Sequence, residues 1–299
     1  MVFRSLVQGL IREQVAQTVQ DHVRQKVEET VSKAQPQEPP DRQPPCDVGF
    51  IFAMGIEAGG LEDLLSDVVY LQGEHVAARY GNLDGRRVVI VISGPGRKAA
   101  AHATEALLLG HRPRWIVSAG FAGGLVPELR YKDIVMVDRV CDTTGKSLKL
   151  DLEVDREAVA QTPGLHVAPL VTTDHIVRRQ QERQELHERY RAWAVDMETF
   201  AVAQVCRAHQ MPLLAVRVIS DEFDFRLPPE VDAMLDRNKW TEKAGTFVAA
   251  LWRRPSSIKD FWALKERALV ASDHLAKFLQ SMTAQLPRSN VAESDPEAE

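Results

Sequence analysis

The sequence contains few cysteines and no long apolar segment. Only three of its 299 residues are cysteine. Cys46, Cys141 and Cys206 are too far apart for a CxxC or metal-ligand pattern, so we expect no disulfide framework and a reducing compartment. No apolar run approaches the about 20 residues that a membrane span needs. Arg12 and Glu13 interrupt any apolar signal core, so the expected location is cytoplasmic.

A large excess of either charge is also absent. The chain has 37 basic and 42 acidic residues, which gives a net charge of −5. This balance gives no electrostatic reason to expect nucleic acid as a partner. No metal-ligand or cofactor-binding cluster stands out, so we predict neither a metal nor a cofactor. With 44% hydrophobic residues, the composition is that of an ordinary globular protein.

A proline-rich segment separates the N-terminal part of the chain from the rest. Five prolines fall within residues 35–45, which predicts a stiff, extended linker. The predicted organisation is an amphipathic helix, a proline-rich linker, an α/β domain, a C-terminal helical extension and a disordered acidic tail; the respective bounds are 1–34, 35–46, 47–252, 253–284 and 285–299.

Short apolar runs alternate with helical patterns through the predicted domain. Such runs are typical of strands that are buried on both faces of a sheet, and the alternation favours helices on both sides of it. The expected fold class is therefore α/β, with a single-domain mixed, mostly parallel sheet that is flanked by helices. We expect helices to start near Leu61 and Ile176, the latter highly charged and most simply a solvated surface.

The stretch 195–221 carries the densest pattern. Asp196 is positioned to cap a helix, and Glu198 falls in its first turn, where the helix dipole favours a carboxylate. Leu213–Ile219 then forms an apolar strand, interrupted only by Arg217. A charge inside such a strand needs a partner.

Polar residues follow this strand directly. Ligands of open α/β sheets bind at the carboxyl ends of the strands. Glu198, Arg217, Ser220 and Asp221 are therefore expected to converge. Taken one at a time, each has an ordinary explanation as a solvated carboxylate, a helix cap or an edge charge.

Five motifs occur along the chain in a fixed order. They are FAMGIEAG (52–59), SGPGRK (93–98), SAGFAGGL (118–125), VDMETFAVA (195–203) and RVISD (217–221). Together they resemble the purine nucleoside phosphorylase and nucleosidase superfamily, and most closely its methylthioadenosine/S-adenosylhomocysteine nucleosidase branch. The resemblance implies a nucleoside phosphorylase-like fold and a small-molecule nucleoside substrate. It also implies a homo-oligomer, with a dimer as the expected state.

The resemblance assigns the catalytic roles. Cleavage of an N-glycosidic bond places positive charge on the ribose and negative charge on the departing base. A carboxylate that activates water and an acid that protonates the base answer these needs from opposite faces. By resemblance, Glu57 is the base, Asp221 is the acid, Ser220 orients Asp221, and Arg217 helps to hold the water. In this arrangement we expect Glu198 or Glu57 to neutralise Arg217 partly.

The resemblance also implies a substrate-binding set, in which Glu198 grips the ribose hydroxyls. The set comprises Met197, Glu198, Ser93, Gly120, Phe121, Ala122, Ile176 and Val177. Ile176 stands where the family has an aromatic residue that stacks on adenine, and Arg97 replaces the usual lysine of the second motif. The segment 250–269 is more similar to the hopanoid-associated phosphorylases, whose substrates join adenosine to a lipid-like group.

Three functions remain open at this stage. Hydrolysis of an adenine-type nucleoside ranks first, because Ser118 stands where several phosphorylases of the superfamily carry an arginine. Phosphorolysis of a purine nucleoside or adenosyl conjugate ranks second, with Arg97 and Arg217 as the available cations. A non-catalytic nucleoside-binding module ranks third, because both Glu57 and Asp221 are present.

Overall fold

The computed structural model describes residues 46–72, 77–150, 152, 154–225 and 258–287. The predicted N-terminal helix, the prolines of the predicted linker and residues 288–299 of the predicted tail lie outside the described residues. No helix in the described ranges is both long and apolar enough to cross a membrane.

The described residues form one ten-stranded sheet with helices on both faces. The strands are β1 (Val48–Phe52), β2 (Ser66–Gln72), β3 (Ala77–Leu83), β4 (Arg86–Ile92), β5 (Trp115–Gly124), β6 (Ile134–Asp142), β7 (Ser147–Lys149), β8 (Leu165–Thr172), β9 (Ala194–Asp196) and β10 (Leu213–Asp221). The helices are α1 (Gly55–Glu62), α2 (Arg97–His111), α3 (Arg156–Ala160), α4 (Gln180–Tyr190), α5 (Thr199–Ala208) and α6 (Ile258–Gln285).

The sheet is mixed, as predicted, with parallel strands at its centre. β4, β1, β5 and β10 are neighbours and run parallel, while β3 and β2 continue one side of the sheet in antiparallel fashion. On the other side, the sheet follows the order β5–β9–β8–β6–β10, and the pairing of β10 with β5 closes these five strands into a ring. The carboxyl ends of β1, β5 and β10 therefore lie side by side.

The central strands are apolar because each is covered on both faces. Alternate residues of a strand point to opposite faces. In β1, Ile51 belongs to a core cluster that also includes residues of α2 and α5. Phe50 and Phe52 belong to a second cluster, which they share with α1 and α6.

Helix α6 contributes directly to the second cluster. Ala271, Leu275 and Leu279 are fully buried. Ser272 Oγ accepts a hydrogen bond from Gly60 N at 3.0 Å and donates one to Glu57 O at 3.1 Å. The described part of the predicted C-terminal extension therefore packs against the helix that carries Glu57.

Several element boundaries differ from the sequence predictions. Helix α1 begins at Gly55 rather than near Leu61, because Glu57 Oε2 accepts a hydrogen bond from Met54 N at 2.8 Å and starts the helix directly after β1. Strand β5 extends through the glycine-rich segment and ends at Gly124. Helix α4 begins at Gln180, because the preceding residue, Arg179, has extended backbone angles.

Candidate active site

Two adjoining cavities lie at the carboxyl ends of the central strands. The first, called here the carboxylate pocket, is bordered by Glu57, Ser93, Gly120, Phe121, Glu198 and Arg217. The second, called the Asp221 cavity, has a volume of about 200 Å³ and is bordered by Phe121, Ile176, Val177, Ser220, Asp221 and Phe225. Phe121 borders both cavities, so the two adjoin and together form the candidate site.

Glu57 is the buried carboxylate of the first pocket. It lies in the first turn of α1 and is 4% exposed. Its Oε2 accepts from Met54 N at 2.8 Å, and its Oε1 accepts from Phe121 N at 3.0 Å. Burial raises the pKa of the Glu57 carboxyl above its ordinary value, although these backbone donors and Arg217 favour the ionised form. A carboxylate in this state is suited to accept a proton.

Gly120 provides the space for the Glu57 carboxylate. A Cβ atom at position 120 would lie 3.0 Å from Glu57 Oε1 and 3.1 Å from its Cδ. Such contacts are tighter than those of an ordinary Cβ atom, and the φ of +154° at Gly120 also disfavours any residue with a side chain, so glycine allows strand β5 to approach this group without a shift.

Glu198 is the second carboxylate of the pocket. Glu198 lies immediately before α5, which begins at Thr199. We had predicted Glu198 inside the first turn of this helix, so the predicted helix start was at least one residue too early. Its Oε1 accepts from Gly96 N at 2.6 Å, which connects it to the glycine turn before α2. Burial and the neighbouring carboxylate of Asp196 raise the pKa of Glu198 to about 8.

Arg217 has a different ionic partner from the one that we expected. We predicted partial neutralisation by Glu198 or Glu57, but the guanidinium pairs with Asp196, whose Oδ2 lies 3.1 Å from Arg217 Nε and 2.9 Å from Nη2. Its Nη groups also donate to Ser118 O and Ser118 Oγ, both at 2.8 Å. Sequence order did not indicate this pair, because we had assigned Asp196 only to helix capping.

Asp196 combines both tasks. Its Oδ2 accepts from the backbone N of Thr199, the first residue of α5, at 3.0 Å, as the capping prediction required. Its Oδ1 accepts from Thr172 Oγ1 at 2.7 Å. Asp196 therefore connects the start of α5 to the buried cation of β10.

Asp221 and Ser220 lie together at the end of β10. Ser220 Oγ donates to Asp221 Oδ1 at 2.7 Å and lies 3.4 Å from Ala122 O. Both residues border the Asp221 cavity with Ile176 and Val177. The side chain of Ile176 is 46% exposed, whereas Val177 is only 5% exposed.

Arg183 is a buried cation that we had wrongly assigned to a solvated helix surface. It is 2% exposed, lies on α4 and pairs with Asp221 through Nη2 and Oδ2. Nothing in the sequence distinguished Arg183 from its neighbours, although it is the one residue of α4 that is buried. The surrounding run of charged residues concealed that position.

The structure thus brings most of the predicted site residues to these two adjoining cavities. Ala122 and Met197 border neither cavity. Ala122 O lies 3.4 Å from Ser220 Oγ, and the backbone N of Met197 donates to Glu198 Oε2 at 3.3 Å. Ser93 borders the carboxylate pocket and donates through Oγ to Gly94 O at 2.7 Å.

The mixed sheet with buried carboxylates at its strand ends is that of a nucleoside phosphorylase-like α/β protein. A sequence model of the phosphorylase superfamily matches residues 47–253. The chain belongs to this superfamily.

Similar proteins with a named activity include one relative by sequence and two by structure. A 5′-methylthioadenosine/S-adenosylhomocysteine nucleosidase of Staphylococcus aureus strain JH9 is 28% identical over 211 residues, which is 64% of this chain and 92% of that protein. Two solved structures from Helicobacter pylori share the fold. One is a 5′-methylthioadenosine/S-adenosylhomocysteine nucleosidase complex, with a TM-score of 0.61, 20% identity and coverage of 82% of this chain and 100% of that one. The other is a futalosine hydrolase mutant, with a TM-score of 0.60, 19% identity and coverage of 81% and 100%.

Proposed function

We infer that the protein hydrolyses the N-glycosidic bond of a purine nucleoside. Adenine-type nucleosides such as methylthioadenosine and S-adenosylhomocysteine are the first candidate substrates, because the Staphylococcus aureus relative carries both in its name. The observation that carries the proposal is the pair of carboxylates, Glu57 and Asp221, in two adjoining cavities that share Phe121.

Glu57 acts as the general base. Two backbone N–H groups orient its carboxylate, and its buried position in the pocket is suited to one water molecule beside the ribose. Because burial raises the pKa of Glu57, the carboxylate is a stronger base than an exposed glutamate. It takes one proton from water as the oxygen attacks the anomeric carbon.

Asp221 acts as the general acid on the base of the substrate. In its protonated form it gives a proton to the purine ring as the glycosidic bond breaks, which removes negative charge from the leaving group. Ser220 fixes one of its carboxyl oxygens. Acid and base on opposite sides of the sugar are the arrangement of an inverting hydrolysis.

The remaining site residues bind the nucleoside. Glu198 and Ser93 are positioned for the ribose hydroxyls, since both border the carboxylate pocket. Phe121, Ile176 and Val177 provide apolar contacts for the purine. Gly120 and Ala122 contribute backbone groups of β5, and Met197 positions Glu198.

The charges favour water over phosphate as the acceptor. Arg217 pairs with Asp196. Arg97 lies 3.2 Å from Asp174 through Nε and donates to Thr172 O at 3.1 Å. Both cations that could have bound phosphate are thus engaged by other groups, while Glu57 would repel a phosphate dianion.

The test is product analysis with methylthioadenosine, with and without phosphate. We expect free methylthioribose and adenine, at a rate that phosphate does not raise. Glu57→Gln removes the base and should suppress this release, whereas Glu62→Gln, on the same helix but paired with Arg79 outside the pocket, should retain it. A sugar 1-phosphate as the main product, formed at a rate that saturates with phosphate, would instead establish phosphorolysis.

The assembly state and the cellular location stay predictions. A homo-oligomer is expected by resemblance, and sedimentation of the purified protein would measure it. A cytoplasmic location and a role in nucleoside catabolism belong to the same proposal.

A further inference from the structure

Arg183 is a buried arginine at the acid end of the site. Helix α4 has exposed charges along most of its length, yet the Arg183 side chain is 2% exposed. Burial of a guanidinium is costly unless it is paired and hydrogen-bonded. The groups that bind Arg183 therefore indicate what it does.

The partners of Arg183 come from three of the segments around the Asp221 cavity. Nη1 donates to Gly124 O at 2.9 Å, at the end of β5, and to Glu222 O at 3.1 Å, beyond β10. Nη2 donates to Val177 O at 3.2 Å, in the segment before α4, and to Asp221 Oδ2. One side chain thus connects three of the chain segments that border the cavity, while α6 borders it separately through Leu264 and Ala268.

The Asp221 carboxyl group is held at both oxygens. Ser220 Oγ donates to Oδ1 at 2.7 Å, and Arg183 binds Oδ2. Two donors on two oxygens fix the rotation of the group about its Cβ–Cγ bond. Ser220 alone would fix one oxygen and leave the carboxyl group free to turn.

Strand β5 leaves room for this pair. A Cβ atom at Gly123 would lie 2.9 Å from Asp221 Oδ2 and 3.2 Å from Arg183 Nη1. Any larger residue at position 123 would displace one of the two groups. The close packing of Asp221 and Arg183 against strand β5 therefore depends on glycine at position 123.

We propose that Arg183 is a positioning residue that sets the orientation of Asp221 toward the purine of the substrate. This rests on the proposed function, in which Asp221 protonates the base. Arg183 itself does not touch the reacting atoms, because its Nη groups are used by Asp221 and by main-chain carbonyls. Its contribution is to keep the carboxyl group in the geometry that proton transfer requires, and misplacement of a catalytic group by about 1 Å can cost about 10²-fold in rate.

The proposal predicts a loss in kcat that exceeds any change in KM. We expect Arg183→Met to lower kcat by about 10²-fold. Arg183→Lys should recover part of that loss, since an ammonium group restores the charge but not the two-pronged geometry. Arg179→Met changes an exposed arginine immediately before the same helix; it is the matched control and should behave as the wild type.

Chemical rescue separates positioning from a merely structural role. In Arg183→Ala, added methylguanidinium should fill the vacated space and raise kcat at least several-fold, while methylammonium at the same ionic strength should raise it less. A fall in kcat that parallels a fall in Tm, without rescue, would overturn the proposal. So would a wild-type kcat in Arg183→Met. Should Arg183→Ala fail to fold, Arg183→Lys supplies the same comparison, with its kcat and Tm measured against the control.

A readout without turnover keeps this proposal separate from the proposed function. Absence of hydrolysis by the wild type would refute the proposed function. Crystal structures of the wild type and of Arg183→Met would still test the positioning role. The Asp221 carboxyl group should rotate or take several orientations in the variant, and an unchanged Asp221 orientation would overturn the proposal.

Discussion

Arg217 directs two of its N–H groups at one carboxylate oxygen of Asp196, at 3.1 Å from Nε and 2.9 Å from Nη2. The two side chains are 3% and 1% exposed, so the pair is fully removed from solvent. A charge that is neutralised in this way is not available to bind phosphate. Arg217 still favours the ionised form of Glu57. The hydrogen-bond donors to the Glu57 carboxylate, however, are the backbone N–H groups of Met54 and Phe121.

Asp196→Asn should destabilise the fold by about 3–5 kcal/mol, because removal of one partner leaves the Arg217 charge buried and unpaired. An asparagine also cannot accept every hydrogen bond that the carboxylate receives from Thr172, Thr199 and Arg217. Urea unfolding measures the change. Asp138→Asn is the control, since its partner Arg156 is 68% exposed and such pairs contribute about 0–1 kcal/mol. Equal stability of the two variants would contradict the importance of the buried pair.

Gly120→Ala should impair catalysis and also lower stability, because Gly120 has a φ of +154°, which a residue with a Cβ atom rarely adopts. The new Cβ would lie 3.0 Å from Glu57 Oε1 and would push the general base out of position, which we expect to cost about 10²-fold in kcat. Gly59→Ala is a matched control in α1, because nothing lies within 4 Å of its added Cβ. Steady-state kinetics on both variants provide the comparison, and a wild-type kcat for Gly120→Ala would argue against Glu57 as the base.

The order of the motifs and the alternation of apolar runs predicted the fold class, because both depend on local sequence. The parallel centre of the sheet follows from runs such as Leu213–Ile219, which are apolar on both faces. The start of α1 was wrong because it depends on a hydrogen bond from Met54 N to Glu57 rather than on apolar spacing.

The tertiary partners of the two buried arginines could not be predicted in the same way. Arg183 meets Asp221 across 38 positions of sequence, and Arg217 meets Asp196 across 21. Sequence alone indicated that Arg217 needed a partner, since it interrupts an apolar strand. It gave no such indication for Arg183, whose neighbours on α4 are themselves charged and exposed.

Asp221→Asn should reduce kcat by about 10²–10⁴-fold, the usual contribution of a positioned general acid. The amide retains the shape of the group and one donor, so affinity for the nucleoside should fall much less. Kinetics with methylthioadenosine give kcat, and calorimetry with an uncleaved analogue gives the affinity. Asp224→Asn, an exposed carboxylate three residues further on, is the control. A near-wild-type rate in Asp221→Asn would remove this residue from the mechanism.

The raised pKa of Glu198 predicts a specific dependence of stability on pH. Its pKa is about 8 in the folded protein, because of burial and the nearby Asp196, against an ordinary value of 4.5. Between these two pH values the unfolded chain has released the proton and the folded protein still holds it. Stability therefore falls as pH rises through this window, by at most about 1.4 kcal/mol per pH unit for one group. Glu57 adds to the fall, since its pKa is also raised.

Thermal unfolding of the ligand-free protein between pH 5 and pH 8 measures this effect. The Tm should decrease with rising pH in the wild type, and Glu198→Gln should flatten the dependence by removing one titrating group. Glu185→Gln, an exposed carboxylate on α4, should leave the wild-type slope unchanged. If Glu198→Gln retained the full slope, Glu198 would hold no proton at neutral pH in the folded protein, and its carboxylate would meet the ribose in the ionised form.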